Sequence, residues 1–265
     1  MSYNLTYLSR LDIEDEREGL SEPSGLALAQ GHDGFWTVSD DTEKVFKLDR
    51  EGRVERSESF EIPVKGLEGI ALDATGQVLL AVKEETNEIV KLDIAGRTIV
   101  NRRRLAHMAG YDSVAGYFAD GRENKGLEGI TVNVHSGAIC VVKEGHPGVL
   151  LEVSANLQGI QDHRVLSAAN GFRDSTLAAE EIDFSGLAYD AVRHGLWIVS
   201  DKARRVFLYD WARDRVVHSA PLGYGKDGRY EEVEKAEGIA VDPAANRLYV
   251  VSDKEARLYV FDVRA

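Results

Sequence analysis

Three glutamates, Glu68, Glu128 and Glu237, each stand directly before a glycine and an isoleucine. Carboxylates gathered around one point can hold a hard cation or exchange protons with a bound molecule. Two equivalent positions carry serine, Ser24 and Ser185, and there an acid stands two residues earlier, Glu22 and Asp183. Strand side chains repeat every two residues, so Glu22 and Asp183 share the face of those serines. Glu22, Glu68, Glu128, Asp183 and Glu237 thus form a candidate ligand set for an ion such as Ca²⁺.

Only a repeat brings residues so far apart to one place. The glycines Gly25, Gly69, Gly129, Gly186 and Gly238 anchor five similar segments. Fifteen residues after each comes an acid: Asp40, Glu84, Glu144, Asp201 and Asp253. An apolar strand follows each anchor, then a turn such as Asp73-Ala-Thr-Gly-Gln77. A second strand is aromatic and β-branched, as in Leu196-Trp-Ile-Val. A third alternates, as in Lys44-Val-Phe-Lys-Leu-Asp, and a fourth follows, as in Arg53-Val-Glu-Arg-Ser-Glu-Ser-Phe. Four antiparallel strands repeated at intervals of 44, 60, 57 and 52 residues predict an all-β fold, a single five-bladed β-propeller. The blades fall at about 22–62, 66–106, 126–167, 183–222 and 235–265. The last repeat lacks a fourth strand, so the N-terminal segment 3–13 is expected to supply it and close the ring.

Composition narrows the partners. With 32 Lys+Arg against 45 Asp+Glu, the formal charge is −13. That excludes a nucleic-acid surface and an anionic membrane surface. No apolar run reaches the roughly 18 residues of a membrane span. Met1-Ser2-Tyr3-Asn4 lacks the basic and apolar regions of a signal peptide, which predicts a cytoplasmic protein, or a periplasmic or secreted one if a signal precedes these residues. A monomer is expected. The lone cysteine, Cys140, reads as a small core residue. Among seven histidines no pair has metal-ligand spacing, and only His107 and His146 fall near the acidic end.

The segments Gly126-Leu-Glu-Gly-Ile with Val142-Lys-Glu, Asp183-Phe-Ser-Gly-Leu with Val199-Ser-Asp, and Ala236-Glu-Gly-Ile-Ala-Val-Asp with Tyr249-Val-Val-Ser-Asp resemble the SdiA-regulated (YjiK-like) family of bacterial propellers. The resemblance covers nearly the whole chain and implies the propeller fold, with no particular reaction. More loosely, the repeat is similar to NHL-type and gluconolactonase-type propellers. In the latter an acid or amide directly before such a glycine binds the catalytic metal, and Glu68, Glu128 and Glu237 stand at the similar position. None of the anchor glycines here follows asparagine, as some do in that family.

Two readings of the acids stand side by side. In one, Lys83 and Lys143 lie across the hairpins from Glu68 and Glu128 as structural ion pairs, with Ser24 and Ser185 opposite Ser39 and Ser200. In the other, the acids hold Ca²⁺ at the channel mouth. The long crossings 107–125, 168–182 and 223–235 drape over the same face with Tyr111, Tyr117, Tyr224 and Tyr230. Those aromatics would line a pocket for a small molecule or peptide, or else pin the loops to the blades. The functional expectation is a ligand- or partner-binding propeller with an acidic mouth. The alternative is a metal-dependent hydrolase of lactonase or phosphoester type acting there.

Overall fold

Branched apolar runs such as Val78-Leu-Leu-Ala-Val, bounded by turn residues, suit a pleated buried surface. In the computed structural model, which describes residues 3–119, 125–226 and 229–264, each becomes a strand. Blade 1 comprises Gly25–Leu28, Gly34–Val38, Lys44–Asp49 and Phe60–Glu61. Blade 2 comprises Leu67–Leu72, Val78–Lys83, Glu88–Asp93 and Thr98–Arg104. Blade 3 comprises Leu127–Val132, Ile139–Lys143, Gly148–Val153 and Ile160–Leu166. Blade 4 comprises Gly186–Asp190, Gly195–Ser200, Arg205–Asp210 and Arg215–Pro221. Blade 5 comprises Ala236–Asp242, Arg247–Ser252 and Arg257–Arg264, with Asn4–Asp12 as its outer strand. Among the described residues the only helices are short 3₁₀ turns.

The core is divided among the blade interfaces. Five clusters of buried side chains lie between blades 1 and 2, 2 and 3, 3 and 4, 4 and 5, and 5 and 1. The ring is therefore closed by the same apolar packing all the way round.

The anchor glycines have a packing reason. A Cβ on Gly25 would sit 2.4 Å from the Glu68 carbonyl oxygen, on Gly69 2.3 Å from that of Glu128, and on Gly186 2.5 Å from that of Glu237. One on Gly129 would meet the Leu187 nitrogen at 2.9 Å, and one on Gly238 the Leu26 nitrogen at 2.7 Å. Each glycine thus faces the inner strand of the next blade, in order around the ring. With five blades the inner strands approach so closely that no side chain fits between them.

Closure follows the expected pattern. Asn4 pairs with Arg264 and Asp12 with Arg257, antiparallel, with one bulge between Tyr7 and Ser9. Tyr7 stacks on Tyr224 at 4.8 Å and meets Phe261 edge-on at 6.0 Å. Tyr7→Ala is expected to lower stability by about 2 kcal/mol in urea unfolding. Thr6→Ala, on the exposed face, should stay within about 0.5 kcal/mol. Equal midpoints for the two variants would deny Tyr7 a part in closing the ring.

One local expectation is corrected. The fourth strand of blade 1 does not run unbroken from Arg53 to Phe60: Phe60–Glu61 pairs with Lys44–Val45, and Val54 makes an isolated bridge to Leu48. The preceding residues turn instead, because Ser59 Oγ accepts the Lys47 N–H at 3.0 Å and Glu55 reaches Lys47 Nζ at 2.9 Å. Asp174 accepts the Thr176 N–H at 2.7 Å, and a single 3₁₀ turn forms at Ala179–Glu181.

Candidate functional site at the acidic channel mouth

Register decides where the glutamates point. In blades 1 and 4 the inner hairpins pair regularly, Gly25 with Val38 and Gly186 with Val199. In blades 2, 3 and 5 the register shifts at the glutamate: Leu67 pairs with Lys83, Leu127 with Lys143 and Ala236 with Ser252. Glu68, Glu128 and Glu237 are the extra residues of three β-bulges. A bulge leaves its residue outside the ladder and re-aims the side chain. In the serine blades the ladder begins at the glycine, and the Ser24 and Ser185 N–H groups donate to the carbonyls of Val38 at 2.9 Å and Val199 at 3.0 Å, the same residues that pair with Gly25 and Gly186.

The bulges also undo the expected ion pairs. Lys83 and Lys143 stand opposite leucines, Leu67 and Leu127, rather than opposite the glutamates. Among the described residues no ion pair joins Glu68 to Lys83 or Glu128 to Lys143. Lys83 instead donates to the Lys65 carbonyl at 2.9 Å and pairs with Glu85 at 3.1 Å. Lys143 is buried, and its Nζ donates to the Gly145 carbonyl at 3.1 Å. Lys235 pairs with Asp253.

Burial raises the proton affinity of these carboxyls, and the charge of Lys235 opposes the rise at Glu237 and Glu68. Burial, then the charges of Asp40 and Glu84, push Glu68 up to about 7, although Ser24 donates a hydrogen bond that opposes the rise. Burial, then Asp201, pushes Glu237 up to about 8. Glu128 lies well above the usual range through burial, then the charges of Glu68, Glu84 and Glu237. Glu84 is raised chiefly by burial; it accepts the Gly126 N–H at 3.1 Å and a hydrogen bond from Glu128. Glu128 and Glu84 thus share a hydrogen bond between their carboxyl groups.

Two of the five acids that stand fifteen residues after the glycines do more than brace their own turns. Glu84 of blade 2 accepts Gly126 N–H of blade 3, and Asp201 of blade 4 accepts Ala236 N–H of blade 5. They latch one blade to the next. Carboxylate oxygens of Glu84, Glu128 and Glu144 lie within 4.8 Å of one another. Lys125 shares this cluster, with Nζ 2.5 Å from Glu144. Sequence reasoning missed Glu84 and Glu144 as possible ligands. A signal was present: these two turns carry the longer glutamate where Asp40, Asp201 and Asp253 are aspartates.

The remaining candidates lie elsewhere or are already occupied. Glu22 is exposed and groups with Asp40 and Asp41, whose hydrogen bond and charge raise it. Asp183 is buried, accepting from Ser200 Oγ at 2.6 Å and Lys202 N at 3.1 Å. Ser185 donates to the Ala236 carbonyl at 2.7 Å, while Ser24 faces Glu68. Tyr111 and Tyr117 pack against the blade 2–3 core, and Tyr224 is buried, its hydroxyl accepting from Arg10 at 2.6 Å. These three pin their loops. Tyr230 alone of the four is exposed, on a hairpin formed by Gly223–Lys226 and Arg229–Glu232.

Beyond the glycine ring the channel changes character. Its far end is an apolar chamber lined by Leu28, Leu72, Val132, Tyr189 and Val241. The molecule therefore presents an acidic opening on one face and a greasy one on the other.

The profile of one protein family, described as SdiA-regulated, matches residues 3–262. The chain belongs to the SdiA-regulated family. No curated protein matches this SdiA-regulated chain. Among solved structures it is similar to glutaminyl cyclase from Myxococcus xanthus, with a TM-score of 0.64 and 15% identity over 98% of this chain and 97% of that one. It is also similar to the Cps50 (Swd1) β-propeller domain of Myceliophteria thermophila, with a TM-score of 0.55 and 9% identity over 98% of this chain and 100% of that one. At such identities the SdiA-regulated protein shares with both the propeller fold alone. Among its described residues no helix is long and apolar enough to cross a membrane.

Proposed function

We propose that the protein is a ligand-binding propeller whose acidic mouth takes a cation of the calcium class. One observation carries the reading: three half-buried glutamates, Glu68, Glu128 and Glu237, stand at β-bulges and, among the described residues, form no ion pair with a lysine. Buried carboxyls in that state hold either protons or a cation. The donor set is all oxygen, as a hard ion requires. Glu84, Glu128 and Glu144 are close enough to share one ion, and water can complete the 6–8 oxygens that calcium takes. Lys125 competes for Glu144, which favours a weak, exchangeable site over a permanent one.

Thermal melts with EDTA and with added Ca²⁺ test this. Ca²⁺ should raise the midpoint of the wild type and leave that of Glu128→Gln unchanged. If neither Ca²⁺ nor EDTA moves the wild-type midpoint, the cation reading is wrong. If Glu128→Gln responds like the wild type, the ligand set is wrong.

A second reading is catalytic, and the carboxyls at about 7 and about 8 favour it. Groups poised near neutrality can both give and take protons. The Myxococcus neighbour is a glutaminyl cyclase, so glutaminyl cyclisation is the first reaction to assay. A lactone or phosphoester hydrolase would need, in addition, an ion with an open coordination position. Turnover that survives EDTA and is lost in Glu237→Gln would favour proton transfer by the carboxyls. Turnover lost with EDTA would favour the metal-dependent hydrolase.

A further inference from the structure

The face opposite the acidic mouth brings together two side chains that no linear spacing connects. His135 lies in the turn between the first and second strands of blade 3, and His194 in the equivalent turn of blade 4. Both are exposed. Their ring centres are 5.5 Å apart, with the planes tilted by 37°. His135 Nε2 donates to the Ala191 carbonyl oxygen at 3.4 Å, which ties the ring to the turn that carries His194 and leaves the lone pair on Nδ1 for a metal.

Both turns are held before any ligand arrives. Asn133 Oδ1 accepts the N–H groups of His135 at 3.0 Å and Ser136 at 3.3 Å. Asp190 Oδ1 accepts those of Val192 at 3.1 Å and Arg193 at 2.9 Å. His135 also rests edge-on against Tyr189 at 6.0 Å. A ring nitrogen binds zinc at about 2.0–2.1 Å, and two imidazoles on one tetrahedral ion have centres about 5 Å apart. The observed separation needs only a small adjustment to match. The third histidine of this face, His32, is engaged by Asp242 at 2.7 Å.

We propose that His135 and His194 form a two-imidazole site for a borderline transition-metal ion, Cu²⁺ or Zn²⁺ in class. Imidazole suits these ions, and divalent affinity peaks at copper. The site is independent of the acidic mouth in residues, in ligand chemistry and in position.

Cu²⁺ titration followed by electron paramagnetic resonance tests it. The expected spectrum shows hyperfine splitting from two imidazole nitrogens. His135→Ala and His194→Asn should each weaken binding by about tenfold or more. Asparagine is chosen at 194 because the residue has φ of 51°, a conformation asparagine tolerates. His32→Ala should bind as the wild type does. A spectrum with oxygen ligands only, or wild-type affinity in both His135→Ala and His194→Asn, overturns the proposal. So does loss of the signal in Glu128→Gln, which would move the ion to the mouth.

Discussion

Gly69→Ala should be among the most damaging single substitutions in this protein, lowering stability by about 3 kcal/mol or more in urea unfolding. The added methyl would lie 2.3 Å from the Glu128 carbonyl oxygen and 3.0 Å from Ile130 N. Both atoms are backbone of the next blade, so no rotamer change can relieve the clash. Relief requires the two inner strands to separate, and the ring transmits that separation to every other interface. Gly116→Ala is the control, since nothing lies within 4 Å of its Cβ position. It should change stability by no more than about 0.5 kcal/mol. Similar unfolding midpoints for the two variants would refute the view that the glycine ring sets blade spacing.

The second large effect is on pH. In the unfolded chain glutamates release their protons near about 4.3. In the folded protein Glu68 keeps its proton up to about 7 and Glu237 up to about 8. Above the unfolded value the folded state therefore binds more protons, and stability falls as pH rises. The loss runs through the window up to about 8 and is complete beyond it. Asp174, held below its ordinary value by Thr176, acts in the opposite sense, but only at pH below the ordinary aspartate range. The melting midpoint in EDTA should drop by roughly 5 °C or more between about pH 5 and about pH 8.5. The double variant Glu68→Gln, Glu237→Gln should flatten that slope, because glutamine cannot ionise. Under the cation reading Ca²⁺ stabilises more at the alkaline end, where protons no longer compete. A midpoint that rises over this range would show that these carboxyls ionise freely in the folded state.

The architecture was legible because it is periodic. Five glycines at blade-length intervals and an acid fifteen residues after each are visible in one dimension, and so is the strand missing from the last repeat. The site was only half legible, because a bulge has no period. One extra residue at Glu68, Glu128 and Glu237 shifts the register and carries Lys83 and Lys143 away from the partners that regular pairing assigns them. Asp183 looked like a fourth ligand until Ser200 and the Lys202 N–H claimed its oxygens. His135 and His194 meet only because adjacent blades place their turns side by side, a fact of the ring and not of either repeat.

The seam in blade 5 bears on how the chain is made. Asn4–Asp12 leaves the ribosome well before its partner Arg257–Arg264. At about 5–20 residues per second, between roughly ten seconds and a minute separates the two. Through that interval blades 1 to 4 can assemble around their own interfaces while the first strand trails unpaired, an open edge of the kind that recruits other chains. One face of the strand carries Asn4, Thr6 and Ser9, polar side chains that can face water during the wait. Leu5 and Tyr7, on the other face, are the residues a nascent chain must shield until the ring shuts.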